Sequence, residues 1–151
     1  MLLTIQAIIL ISIQLHHTTS EAIDTHFWLY TKDNLKDYED MVFDGSKVIL
    51  TPDTRFDPTK PTKLVAHGLG GGTHIDQIFA AAYAKAGMDY NVIGVDWRGM
   101  HGPWKTTFQI IGNYTAHFLQ GMSKDYGLQI ADVHCIGFSY GTHVIGKIKT
   151  N

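Results

Sequence analysis

Val133-His134-Cys135-Ile136-Gly137-Phe138-Ser139-Tyr140-Gly141-Thr142-His143-Val144-Ile145-Gly146 runs from an apolar segment into a glycine-flanked serine and on into helix-compatible sequence, Thr142 to Lys149. The run Val133 to Ile136 reads as a short buried strand. Glycines two positions either side of Ser139 allow a strand and a helix to approach without Cβ clashes, so the serine hydroxyl can stand out of the packed sheet on a tight turn. A hydroxyl is a weak nucleophile and needs such presentation. Ser139 is therefore the candidate catalytic residue, with Gly137 and Gly141 as the glycines of its elbow.

Upstream of this turn, short apolar runs alternate with helical periodicity. Lys63 to Ala66 is a buried-strand candidate. After Gly68 to Gly72, the residues Ile75, Ile78, Phe79, Ala82, Tyr83 and Ala86 recur at helical steps, with Gly87 as the stop. Asn91 to Val95 reads as the next strand, and Ile111, Tyr114, Phe118, Met122 and Tyr126 mark a second helix face ending at Gly127. The order from Lys63 is β-α-β-α-β, which favours parallel strands with helices on both faces of the sheet. Before it the chain looks β-rich: His26 to Tyr30 and Lys47 to Leu50 are strand-forming, and Thr51 to Thr62, with its three prolines, reads as a loop.

Ligands of parallel sheets lie beyond the carboxyl ends of the strands, which directs attention to His67–Thr73, Asp96–Trp104 and Phe138–His143. Attack on an ester creates an oxyanion that needs fixed donors. In a strand-serine-helix architecture these are the backbone N–H after the nucleophile and one from an upstream His-Gly loop. His67-Gly68-Leu69-Gly70 supplies that loop, so the candidate donors are the N–H groups of Leu69 and Tyr140. The competing reading is a flexible strand-helix turn. A dinucleotide fingerprint fails here, because Thr73 stands where the third glycine is required.

Four blocks in order resemble the pancreatic-lipase family of animal lipases, in particular insect members related to venom phospholipase A1: His26 to Tyr30, Lys63 to Gly68, Asn91 to Trp97 and Val133 to Gly146. The resemblance implies an α/β-hydrolase fold for residues 21–151, ending after the nucleophile elbow. It also implies Ser139 as nucleophile, main-chain donors at Leu69 and Tyr140, no cofactor, and a lipid ester as substrate with contact to a lipid interface. The family usually has His before the serine, Leu after it and Ala beside the second glycine; Phe138, Tyr140 and Thr142 stand here instead. None of these removes a backbone N–H, but Tyr140 adds bulk beside the acyl site.

In this fold the remaining triad members follow the nucleophile, acid first and histidine second. Tyr140 to Asn151 contain no Asp or Glu, and their one histidine is His143, four residues past the serine on the expected helix. The sequence as it stands is thus expected to be close to inert, a truncated serine carboxylic ester hydrolase, triacylglycerol lipase or phospholipase A1 in type. The alternative is a non-catalytic lipid-binding member of the same fold, similar to yolk proteins. Asp96 precedes the serine and reads as a structural hydrogen-bond acceptor rather than the acid; Trp97, Trp104 and Phe108 read as packing.

Residues 1–20 carry no Lys, Arg, Asp or Glu, and Leu2 to Leu15 is mostly apolar, as in a secretory signal cleaved before Glu21 or Ile23. A short anchor or buried helix are the competing readings; a secreted, extracellular protein with no membrane span in the mature chain is the expectation. The net charge of -2, from 12 basic and 14 acidic residues, gives no electrostatic case for nucleic acid. Histidine spacings match no zinc motif, so no metal is expected. Cys135 is the only cysteine and reads as a small buried hydrophobe; Asn113-Tyr114-Thr115 is a glycosylation sequon.

Overall fold

A computed structural model describes residues 23–71 and 74–149. The signal expected over residues 1–20, the cleavage point before Glu21, and Gly72 and Thr73 of the glycine loop lie outside the described residues. The elements in chain order are β1 (His26–Tyr30), β2 (Glu39–Asp40), β3 (Val42–Phe43), β4 (Val48–Ile49), β5 (Thr62–Ala66), α1 (Ile75–Lys85), β6 (Asn91–Asp96), α2 (Trp104–Tyr126), β7 (Val133–Gly137) and α3 (Gly141–Ile145).

Five strands form one mixed sheet in the order β2-β1-β6-β5-β7, while β3 and β4 make a separate hairpin. β5 runs parallel to both β6 and β7, with Leu64 opposite Ile93 on one side and Cys135 on the other. β1 is antiparallel to both its neighbours, with Trp28 opposite Gly94 and Asp40. The β5-α1-β6 crossover steps to one side of β5, and β6-α2-β7 steps back over it to the other. Right-handed crossovers in opposite directions put their helices on opposite faces. Two apolar clusters correspond to those faces, and strand alternation sorts the side chains between them.

The larger cluster takes Phe27, Leu29, Leu64, Ala66, Ile93 and Val95 from the sheet and Phe108, Ile111, Phe118 and Met122 from α2. Phe27 stacks on Phe118 with ring centroids 3.7 Å apart, and Tyr114 donates its hydroxyl hydrogen to the Phe43 carbonyl, tying α2 to the β3-β4 hairpin. Each such buried aromatic or aliphatic side chain contributes roughly 1.5–3 kcal/mol. The other face buries Trp28, Tyr30, Val65 and Val92 of the sheet against Ala80 of α1.

Both helices end where expected. Gly87 and Gly127 take left-handed φ of 74° and 77°, and Met88 N–H closes α1 on the Tyr83 carbonyl. The expected face of α1 is corrected: Ile78, Ala82 and Ala86 are exposed, while Asp76 and Ala80 are buried and Ile75, Phe79 and Tyr83 are half-buried. The helix is rotated so that the Asp76 carboxylate lies over Gly94 of β6, where an added Cβ would clash with it. The last helix is also shorter than the expected Thr142 to Lys149. It ends at Ile145, and the backbone of Lys147 sits so close to Gly112 of α2 that a Cβ there would lie 2.8 Å from its carbonyl carbon.

Among the described residues no helix is long and apolar enough to cross a membrane.

Candidate active site

The serine turn begins where β7 ends, beside the end of β5. Phe138 N–H donates to the Ala66 carbonyl at 2.9 Å, continuing the ladder by one residue, and the chain then reverses into α3 with Gly141 N–H donating to the Phe138 carbonyl at 2.8 Å. Ser139 has φ of 51°, in the left-handed region that a side chain rarely adopts. The glycines on either side make this geometry fit. A Cβ on Gly141 would stand 2.2 Å from the Ala66 carbonyl oxygen, and one on Gly137 2.5 Å from the Thr142 Cα. Both contacts are with backbone, so neither can be relieved by turning a side chain. Ser139 is exposed, and Thr142 Oγ1 donates to its carbonyl at 2.6 Å.

The His67–Gly71 loop faces the turn. A Cβ on Gly68 would lie 3.1 Å from the Ser139 Cβ and 3.3 Å from the Phe138 carbonyl oxygen, so a side chain there would press the two loops a few tenths of an ångström apart. Gly70 and Gly71 both have positive φ, 80° and 53°, and Gly71 N–H returns to the Gly68 carbonyl at 3.2 Å. Leu69, next to Gly68, is exposed, as are Phe138 and Tyr140 on the other side of the serine.

Behind the loop is a polar network. His67 is buried at the end of β5 with its ring stacked on Trp97, centroids 5.0 Å apart and planes 6° from parallel. His67 Nδ1 lies 2.7 Å from the Gly68 carbonyl oxygen, and Nε2 lies 3.0 Å from both Asp96 Oδ1 and the Trp97 amide nitrogen. Trp97 Nε1–H donates to the His67 carbonyl at 3.1 Å. Arg98 forks onto Asp96, Nε to Oδ1 at 2.8 Å and an Nη to Oδ2 at 2.9 Å, with its guanidinium over the Trp28 ring. Burial alone pushes the Asp96 carboxyl up. The hydrogen bond to His67, the hydrogen bonds from Arg98 and the guanidinium charge outweigh it and hold the carboxyl well below the usual carboxylate range. Asp96 is thus committed as a structural acceptor, as its place before the serine in the sequence indicated.

His143 lies on α3 with its ring stacked on Phe108 at 5.3 Å, and among the described residues no carboxylate pairs with it. Trp104, Phe108 and Tyr140 form a run of ring contacts from 5.6 to 6.0 Å beside the serine. Trp97 and Phe108 are buried, whereas Trp104 is 43% exposed. Cys135 is half-buried on β7 against the larger core, its thiol pushed up by burial. Asn113 lies exposed on α2 and accepts from Gln109, while the sequon's Thr115 is buried and donates to the Ile111 carbonyl. Among the described residues no three His, Cys, Asp or Glu side chains gather as a metal would require.

Sequence reasoning did not find the parts played by the His67 ring, Trp97 and Arg98. The signal for them was the pairing of His67-Gly68 with Asp96-Trp97-Arg98, each at the carboxyl end of a parallel strand; the register of β5 and β6 brings those strand ends together.

The Lipase family model matches residues 6–150. Pancreatic triacylglycerol lipase of Sus scrofa is 28% identical over 132 residues, covering 83% of this chain and 28% of that protein. Pancreatic lipase-related protein 2 of Bos taurus is 29% identical over 135 residues, with 84% and 28% covered. Human pancreatic triacylglycerol lipase is 25% identical over 132 residues, with 83% and 27% covered. The chain thus spans little more than a quarter of the length of these relatives. With its parallel strands and covering helices in an α/β arrangement, and with the match running through nearly every described residue, the chain belongs to the lipase family.

Proposed function

We propose that these residues carry the nucleophile and oxyanion half of a secreted carboxylic ester hydrolase that acts on lipid esters, of triacylglycerol lipase or phospholipase A1 type. The observation that carries this reading is the left-handed backbone of Ser139, φ 51°, on a turn pressed against Gly68 of the His-Gly loop. A strained, non-glycine residue of that kind persists only where its surroundings over-determine it, and such residues concentrate at functional positions. Ser139 Oγ bonds the ester carbonyl carbon while its proton passes to a base. The resulting oxyanion takes hydrogen bonds from the Leu69 and Tyr140 N–H groups. Collapse expels the alcohol, which takes that proton, and water repeats the sequence on the acyl-serine to release the acid.

The triad acid and base belong, in this proposal, to the part of the relatives' length that the chain does not span. Taken alone, the 151 residues are then nearly inert, short by a factor on the order of 10⁴ to 10⁶ in turnover. The exposed Leu69, Phe138, Tyr140 and Trp104 around the serine suit an apolar acyl chain or a lipid surface. The apolar leader supports secretion.

The test is to express the chain beside a form extended by the adjoining downstream reading frame and treat both with a fluorophosphonate. Adduct on Ser139 in the extended form alone is the expected result. Equal labelling of the short form would overturn the division of the triad, and no labelling of either would overturn the role of Ser139.

A further inference from the structure

The Gly68 carbonyl and the Leu69 N–H belong to one peptide unit. The chain has no cis peptide bond among the described residues, so these two groups point in opposite directions, and whatever fixes the carbonyl also aims the N–H. The carbonyl is fixed from two sides, by His67 Nδ1 at 2.7 Å and by Gly71 N–H at 3.2 Å. A carbonyl oxygen only accepts, so Nδ1 carries the hydrogen whether the ring is neutral or protonated. The far nitrogen, Nε2, accepts from Trp97 N–H when the ring is neutral and donates to Asp96 Oδ1 when it is charged. The ring is further held by stacking on Trp97 and by burial, and Asp96 is itself held by the Arg98 fork.

On the reading of Ser139 and Leu69 given above, on which this rests, we propose that His67 is a positioning residue. Its Nδ1–H pins the Gly68–Leu69 peptide so that the Leu69 N–H is aimed, before substrate arrives, at the space in front of the serine hydroxyl. Donation into the carbonyl also polarises the peptide and strengthens its N–H as a donor. Donors already fixed at the start of reaction are what make an oxyanion site effective. The loop needs this support because Gly70 and Gly71, at positive φ, have no side chain to anchor its backbone.

Two measurements decide it. In the 151-residue chain, NMR should detect a scalar coupling between the His67 15Nδ1 and the Gly68 carbonyl carbon. His67→Phe, which keeps a ring over Trp97 but has no donor, should shift the Leu69 amide more than any amide outside the His67–Gly71 loop. In the extended form, His67→Phe should slow fluorophosphonate reaction at Ser139 by about tenfold to a hundredfold, and His67→Asn, whose amide N–H falls near the Nδ1 position, should recover most of that rate. A role limited to stability would give a change that tracks unfolding and is not rescued by Asn. Absence of the coupling in the parent, or a His67→Phe rate equal to that of a labelled parent, overturns the proposal. An unlabelled extended parent overturns instead the reading of Ser139, and with it the purpose assigned to His67.

Discussion

At the scale of single residues, Ser139 is a place where the backbone is held against its preference, and the cost can be measured. A non-glycine residue in the left-handed region is destabilised by about 1 kcal/mol relative to glycine there, which has no Cβ to clash. Ser139→Gly is therefore expected to raise the urea midpoint by an amount corresponding to about 1 kcal/mol, while removing the hydroxyl and all fluorophosphonate labelling in the extended form. A loss of stability would mean that the φ of 51° is not strained. The elbow was legible in the sequence because its requirement is local: two glycines are needed within two residues of the serine, since Gly137 and Gly141 lie against Thr142 and Ala66. The partners of His67 were not legible in that way. Asp96 lies 29 positions along the chain, and only the register of two parallel strands brings it to 3.0 Å.

At the scale of elements, the strands with strong periodicity stood where their side chains placed them, β5, β6 and β7 within a residue at their ends; α2 stops at Gly127 as expected but begins at Trp104, two turns before Ile111, where its marked face started. The face of α1 was misread because one buried polar contact outweighed its apolar count. Asp76, in the first turn, lies over Gly94, and Gln77 N–H donates to its Oδ1 at 3.0 Å. This turns Ile78 outward. Burial is the main influence on Asp76 and pushes its carboxyl up, only partly offset by hydrogen bonds from the Gln77 and Asp76 backbone and by the nearby His74 and His67. A carboxyl whose folded-state value exceeds its unfolded value favours folding most below the unfolded value, near pH 4, and that contribution disappears as pH rises through the folded value. Asp76→Asn keeps the acceptor for Gln77 N–H and removes the charge. Parent and variant should therefore have equal urea midpoints below about pH 4, with the variant increasingly the more stable from there to neutrality. Asp96 acts in the opposite sense in both proteins, its stabilising share falling as acid protonates it, so the difference between the two curves isolates Asp76. A difference that does not change with pH would show that the Asp76 carboxyl is not destabilised in the folded chain.

At the scale of the whole molecule, the order β6-β5-β7 puts the serine turn and the His-Gly loop at the point where the crossovers diverge, the crevice at which open α/β sheets bind ligands. That order was not legible from element sequence alone, since β7 could have followed β6 outward instead of returning past it to lie beside β5; apolar runs carry no record of which neighbour they pair with. Placing β7 beside β5 leaves it, among the described residues, with one partner strand. Its apolar residues Val133, Cys135 and Ile136 are only half-buried, whereas Leu64, Val65 and Ala66 of β5 are buried. In a parallel ladder, alternate amides face each neighbour. Phe138 N–H donates to the Ala66 carbonyl on β5, so by the two-residue period the Ile136 and His134 amides also face β5, and those of Cys135 and Gly137 face away. In the 151-residue chain the amides of Ile136 and Phe138 should then exchange with solvent slowly and those of Cys135 and Gly137 quickly. If the remaining length of the relatives supplies a strand beyond β7, the extended form should protect Cys135 and Gly137 as well and raise the unfolding midpoint, because an open edge strand gains a full row of hydrogen bonds when a neighbour covers it. Equal, slow exchange of all four amides in the short chain would mean that the far edge of β7 is already occupied, and that the serine turn sits inside a sheet rather than at its margin.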